Sequence, residues 1–231
     1  MDAREIGGTP RFVFFDAGNT LIFADETRTL APLLAAGFAP TREHLYAAER
    51  LAKRRLDLAL QSRNPELSVD RDFWKIYYTQ LLGSLEAPPA LLPALVETTR
   101  RSDNWNQVRP GTRETLEKLR QGGRRLGVIS NSDGGIESLL RAVALGDLFE
   151  SFTDSALVGH EKPSLEIFRH ALATLGARPE ESLFIGDVYS VDYIGGRAAG
   201  MAVVLMDGPG VYREDGLPRV ESITELPALL G

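Results

Sequence analysis

The chain has 231 residues, 43% of them hydrophobic and 25% charged, with a formal charge of −6; this suits one large soluble domain or a domain carrying a smaller insertion. It has no cysteine, which excludes disulfides, thiolate metal sites and cysteine nucleophiles. With 26 Lys and Arg against 32 Asp and Glu and no basic tract, neither nucleic acid nor an anionic membrane is expected as a partner. No apolar run reaches the ~18–20 residues of a membrane span. The start, Met1-Asp2-Ala3-Arg4-Glu5, carries early acid and no long apolar stretch, so no signal peptide and a cytoplasmic location are expected.

In chain order, Phe12-Val13-Phe14-Phe15 is the first apolar run, ending at Asp16 and followed by Gly18 and Asn19; four bulky residues bounded by turn formers predict a buried strand. Residues 23–105 then contain no convincing strand. Leu45, Ala48, Ala52, Leu56 and Ala59 recur at helical spacing, as do Trp74, Tyr77, Tyr78 and Leu81, and a structureless loop of this length is implausible in a compact chain. This stretch reads as an inserted helical subdomain with its aromatic residues as core, broken at Pro88-Pro89.

Beyond it, helices are expected at 112–121, about 135–144, 165–175 and about 190–200. Strands are expected at 126–129, 183–185 and 202–205, with a weaker one near Phe152. Strands alternating with helices predict an α/β fold, a doubly wound Rossmann-like parallel sheet. The expected division is a core domain of residues 1–22 and 106–231 and a helical cap domain of residues 23–105.

In an open parallel sheet, ligands bind beyond the carboxyl ends of the strands. The residues just past those ends are Asp16, then Ser130 and Asn131, then Asp187, while Lys162 sits in the loop Gly159-His160-Glu161-Lys162-Pro163. Two nearby carboxylates repel unless a cation lies between them. Magnesium favours one or two carboxylates with waters and phosphate oxygens, and a carboxylate can attack phosphorus to form an aspartyl-phosphate. Phosphoryl transfer then needs mainly positioning and charge stabilisation.

These residues resemble the motifs of the haloacid dehalogenase-like (HAD) hydrolases. Phe15-Asp16-Ala17-Gly18-Asn19-Thr20-Leu21 is similar to the first motif, Ile129-Ser130-Asn131 to the second, Lys162-Pro163 to the third and Gly186-Asp187-Val188-Tyr189-Ser190-Val191-Asp192 to the fourth. The order, the strand contexts and the helical insertion after the first motif agree with the family over nearly the whole chain. The resemblance implies Asp16 as nucleophile and metal ligand, with Asp187 and the Gly18 carbonyl completing the protein's share of a Mg2+ site. It implies that Ser130, with the Asn131 backbone, binds the transferring phosphoryl group, and that Lys162 neutralises nucleophile and phosphate. Thr20 would steady the nucleophile loop, and Asp192 would support the metal shell, orient Lys162 or merely cap the next helix. The helical insertion would be a mobile cap setting specificity, and the protein a monomer or homodimer acting on a small phosphorylated substrate.

One position departs from that pattern. Phosphatases of the family carry a second aspartate two residues after the nucleophile, the general acid and base; here it is Gly18. Such help is typically worth ~10²–10⁴ in rate. A magnesium-dependent phosphatase would then need a good leaving group or an acid from the cap, with Asp25, Glu26 and His44 as candidates. The alternatives are carbon–halogen or carbon–phosphorus hydrolysis, or an impaired phosphoryl-binding protein. Ser132 or Asp133 is expected to cap the helix after the second motif. His160 reads as a solvated loop residue, and Gly195-Gly196 as close helix packing rather than a dinucleotide fingerprint.

Overall fold

The computed structural model describes residues 9–61 and 69–231. Strand β1 (Phe12–Phe15) is four consecutive buried apolar residues, the pattern of a strand covered on both faces. It pairs in parallel with β2 (Arg125–Ser130) on one side and β4 (Ser182–Gly186) on the other, so that Phe15 lies opposite both Val128 and Ile185. β3 (Ser151–Asp154) lies outside β2; β5 (Ala202–Met206) and β6 (Arg219–Val220) follow outside β4. The order β3-β2-β1-β4-β5-β6 is parallel at every pair. Winding reverses between β1 and β4, and the ligand crevice of such a sheet lies beyond their carboxyl ends. β6 has no counterpart among the expected strands, because two residues, one of them arginine, leave no apolar run to read.

The chain folds as two compact units. The sheet unit takes the described residues up to Phe23, Asn106–Gly208 and Tyr212–Gly231; the other takes Ala24–Trp105 and Pro209–Val211. The second unit is helical: α1 (Glu26–Thr29), α2 (Ala31–Ala35), α3 (Arg42–Gln61), α4 (Val69–Ser84) and α5 (Leu92–Arg100). Ala48, Ala52, Leu56 and Ala59 line the buried face of α3. On α4, Phe73, Tyr77 and Tyr78 are buried, and Trp74 meets Tyr77, Tyr78 and Trp105 at ring distances of 5.5, 6.1 and 5.7 Å. The aromatics form the core of this unit, as their periodicity predicts. Pro209–Val211, expected with the rest of 106–231, groups with the helices instead. The reason is that Arg50 donates to the Pro209 carbonyl at 3.0 Å and Arg54 to the Val211 carbonyl at 2.7 Å.

In the sheet unit, α6 (Thr112–Gln121), α7 (Ile136–Ala142), α8 (Ser155–Val158), α9 (Leu165–Leu175), α10 (Ile194–Ala198) and α11 (Leu226–Leu230) flank the strands. Ile167, Phe168, Ala171, Leu172 and Leu175 of α9 pack on Phe12, Phe14, Phe184 and Val203 of the sheet. Close packing accounts for Gly195 and Gly196: a Cβ on the first would lie 2.5 Å from the Phe168 ring, and on the second 2.7 Å from Val203. Where one helix over 190–200 is expected, a wide turn at Tyr189–Tyr193 precedes α10, with both the Asp192 and Tyr193 amides donating to the Val188 carbonyl. Among the described residues, no helix is long and apolar enough to cross a membrane.

Candidate active site

The Asp16 amide donates to the Ile185 carbonyl at 2.7 Å, extending the β1–β4 ladder by one residue and fixing where its side chain emerges. The Lys162 ammonium donates to Asp16 Oδ1 at 2.6 Å and to Asp192 Oδ1 at 2.8 Å, with all three groups buried. It also lies 5.2 Å from the centroid of the Phe184 ring. The remaining oxygen of Asp192 accepts from the Asp187 and Val188 amides, at 2.9 Å each. Asp192 therefore spends both oxygens on fixing Lys162 and the turn that carries Asp187. Gly186 makes room for this, since a Cβ there would lie 2.4 Å from the Asp192 carboxyl carbon.

Lys162 is held from behind by an amide clamp. Its N–H donates to Asn131 Oδ1 at 2.7 Å, and Asn131 Nδ2 donates to its carbonyl at 3.1 Å. The Asn131 side chain is thereby committed to the Lys162 peptide, and only its backbone remains for a bound anion. Ser130 ends β2, the strand beside β1; it is buried, and its hydroxyl makes no hydrogen bond among the described residues.

The loop after Ser130 is organised by a residue that sequence reasoning missed. Asp154, at the end of β3, accepts from Ser132 Oγ at 2.6 Å, the Gly134 amide at 3.0 Å and the Ile136 amide at 3.3 Å. The expected cap by Ser132 or Asp133 is thus corrected. The cap position of α7 is Gly135, with no side-chain cap, and the carboxylate that meets the helix start comes from the neighbouring strand. A polar residue ending a strand of polar and apolar residues gave no local signal of this.

The loop after Asp16 closes on itself: the Ala17 carbonyl accepts from the amides of Leu21 at 2.9 Å and Ile22 at 3.0 Å, and the Asn19 amide donates to the Ile22 carbonyl at 2.8 Å. Asn19 sits at φ 56°, a left-handed conformation asparagine tolerates better than most residues. Thr20 is buried with its hydroxyl unpartnered among the described residues, so backbone bonds steady this loop. Gly18 is not among the residues of positive φ; its backbone conformation does not itself demand glycine. Two of the acids suggested to replace the missing one serve as helix caps. Asp25 accepts from the Arg28 amide at 3.2 Å, and His44 Nδ1 from the Thr41 amide at 3.1 Å. Glu26 and His160 are exposed.

One oxygen from each of Asp16, Asp187 and Asp192 falls within 4.8 Å of the other two. Three buried carboxylates gather here around one ammonium. Burial, then the charges of Asp192 and Asp187, push the Asp16 carboxyl up to about 7 against the opposing pull of Lys162. Burial works against the Lys162 ammonium, yet Asp16 and Asp192 outweigh it and hold its pKa above the usual lysine range. An all-oxygen, anionic donor set fits a hard dication. With Asp192 fully engaged, Asp16 and Asp187 are the side chains suited to it.

The chain belongs to the haloacid dehalogenase-like hydrolase family, whose sequence pattern matches residues 10–200. It is 33% identical over 208 residues to the glyceraldehyde 3-phosphate phosphatase of Methanothermobacter thermautotrophicus, spanning 84% of each chain. Its fold is similar to that of the HAD-hydrolase YfnB from Bacillus subtilis bound to magnesium (TM-score 0.68, 21% identity, 96% of this chain and 99% of that one). It is also similar to that of a 2-haloacid dehalogenase from Pseudomonas syringae (TM-score 0.56, 23% identity, 96% and 98%).

Proposed function

We propose that the protein is a phosphatase of small phosphorylated metabolites, acting through an aspartyl-phosphate on Asp16. The observation that carries this reading is the Asp16–Lys162–Asp192 chain beside Asp187: a buried carboxylate held by a lysine, with two further carboxylates within reach of a shared cation. Asp16, Asp187 and the Gly18 carbonyl would hold Mg2+, which when bound would neutralise the carboxylates and the phosphoryl oxygens. Lys162 holds one Asp16 oxygen and so fixes the rotation of the carboxylate toward phosphorus. Asp16 attacks phosphorus, the P–O bond to the alcohol breaks, and its electron pair leaves with that oxygen, which takes its proton from water because Gly18 offers no acid. The Ser130 hydroxyl and the Asn131 amide bind the phosphoryl oxygens as charge shifts onto them. Water then attacks the aspartyl-phosphate, returning Asp16 and releasing inorganic phosphate.

The test is a metabolite panel that includes glyceraldehyde 3-phosphate, assayed with Mg2+ and with chelator. Phosphate release is expected with Mg2+ and is lost on chelation. Absence of turnover on every phosphorylated compound overturns the reading, and chelator-resistant halide release from a haloacid would replace it with carbon–halogen hydrolysis.

Gly18 adds a kinetic expectation. With no carboxyl two residues from the nucleophile, hydrolysis of the aspartyl-phosphate is slow, and an aryl phosphate gives a burst of product before a slow steady state. Gly18→Asp raises the steady rate about 10²-fold, the low end of what a general base supplies, and removes the burst. An unchanged rate in a folded variant means that another group already activates water.

A further inference from the structure

We propose that Tyr212 is a positioning residue for Asp187; this rests on Asp187 being a metal ligand. Three consecutive amides follow β4, and side chains hold all of them. Asp192 takes those of Asp187 and Val188, and the Tyr212 phenol oxygen takes that of Tyr189 at 3.0 Å. The third holder thus comes from the loop after β5, the strand next to β4. Tyr212 is itself fixed: its amide donates to Asp207 Oδ2 at 2.9 Å, and the two residues are 1% and 0% exposed. Arg219 lies 3.8 Å from the same Asp207 oxygen. A phenol on a buried ring with an anchored backbone cannot follow the Tyr189 amide if that amide drifts. It therefore sets the peptide planes at 187–189, and with them the direction of the Asp187 side chain.

Outer contacts of this kind orient a ligand that they never touch.

The experiment titrates Mn2+ into the metal-free 231-residue protein, following the free-ion electron paramagnetic resonance signal, with Mg2+ competition and thermal melting in parallel. Tyr212→Phe keeps the ring and removes the acceptor; it is expected to raise the metal dissociation constant about tenfold, the lower end for lost outer-shell partners, with little change in melting of the metal-free protein. If Asp187→Asn abolishes binding while Tyr212→Phe binds like wild type, the positioning role is overturned and the ligand role stands. If Asp187→Asn binds like wild type, Asp187 is not a ligand and both readings fall.

Discussion

Asp16→Asn is expected to lower kcat by about 10⁴–10⁶-fold, the loss that follows removal of an enzyme's nucleophile, without unfolding the protein. The amide keeps the size of the carboxyl and an oxygen to accept from Lys162, but it cannot form an acyl phosphate. A second readout tests the electrostatics. The folded-state pKa of Asp16 is raised to about 7 from 3.8, so its stabilising contribution to the metal-free protein is complete below pH ~4 and is lost as pH rises through ~7. The variant has no such loss. Its Tm minus that of wild type should therefore grow between pH 5 and pH 8, to several degrees, given ~2–4 °C per kcal/mol for a chain of this size. A difference that stays flat across that range would mean that Asp16 is not strained by burial, and residual phosphatase activity above about 1% of wild type would remove it as nucleophile.

Lys162→Met, which keeps the bulk of the side chain and removes its charge, should be costly twice. Removing the ammonium leaves Asp16 and Asp192 facing each other uncompensated in a buried site, and breaking a buried pair in this way costs about 3–5 kcal/mol. The metal-free variant should melt roughly 10 °C lower. Its kcat should fall about 10²–10³-fold, the range for removing one preorganised donor to developing negative charge. Adding Asp192→Asn separates the two effects: the double variant recovers part of the Tm, since one of the opposed charges is gone, and recovers no activity. If the double variant regains both, Lys162 acts only by keeping the fold intact.

The sequence showed most plainly those parts whose chemistry is local. Phe12–Phe15 could be read as a buried strand because four apolar residues end at Asp16, and α6 because Leu116 and Leu119 recur at helical spacing after Pro110-Gly111. β3 was faint because Ser151, Thr153 and Asp154 are polar yet buried, a burial decided by the strand beside them rather than by hydropathy. Asp16, Ser130 and Asp187 stood out by position, at or one past a strand end. What they do to one another was not visible. Asn131 clamping Lys162, Asp154 organising the loop behind Ser130 and Tyr212 holding Tyr189 each join a side chain to backbone at least 18 residues away, where no periodicity reaches. The turn at Tyr189–Tyr193 shows the same limit: a helical pattern yields where Asp192 folds back onto the preceding amides.

The sheet order has a consequence for how the site can change over time. Ser130, Asp16 and Asp187 emerge from three neighbouring strands, and parallel strands lie ~4.8 Å apart whatever their side chains. The separation of the Ser130 hydroxyl, the Asp16 carboxylate and the Asp187 carboxylate is thus ruled by backbone hydrogen bonds, at about 10 Å from edge to edge. Interior residues of β1, β2 and β4 can be exchanged among apolar types without altering that gauge. The width of the reaction centre is inherited with the sheet, and new substrates can be acquired only by redrawing what surrounds it.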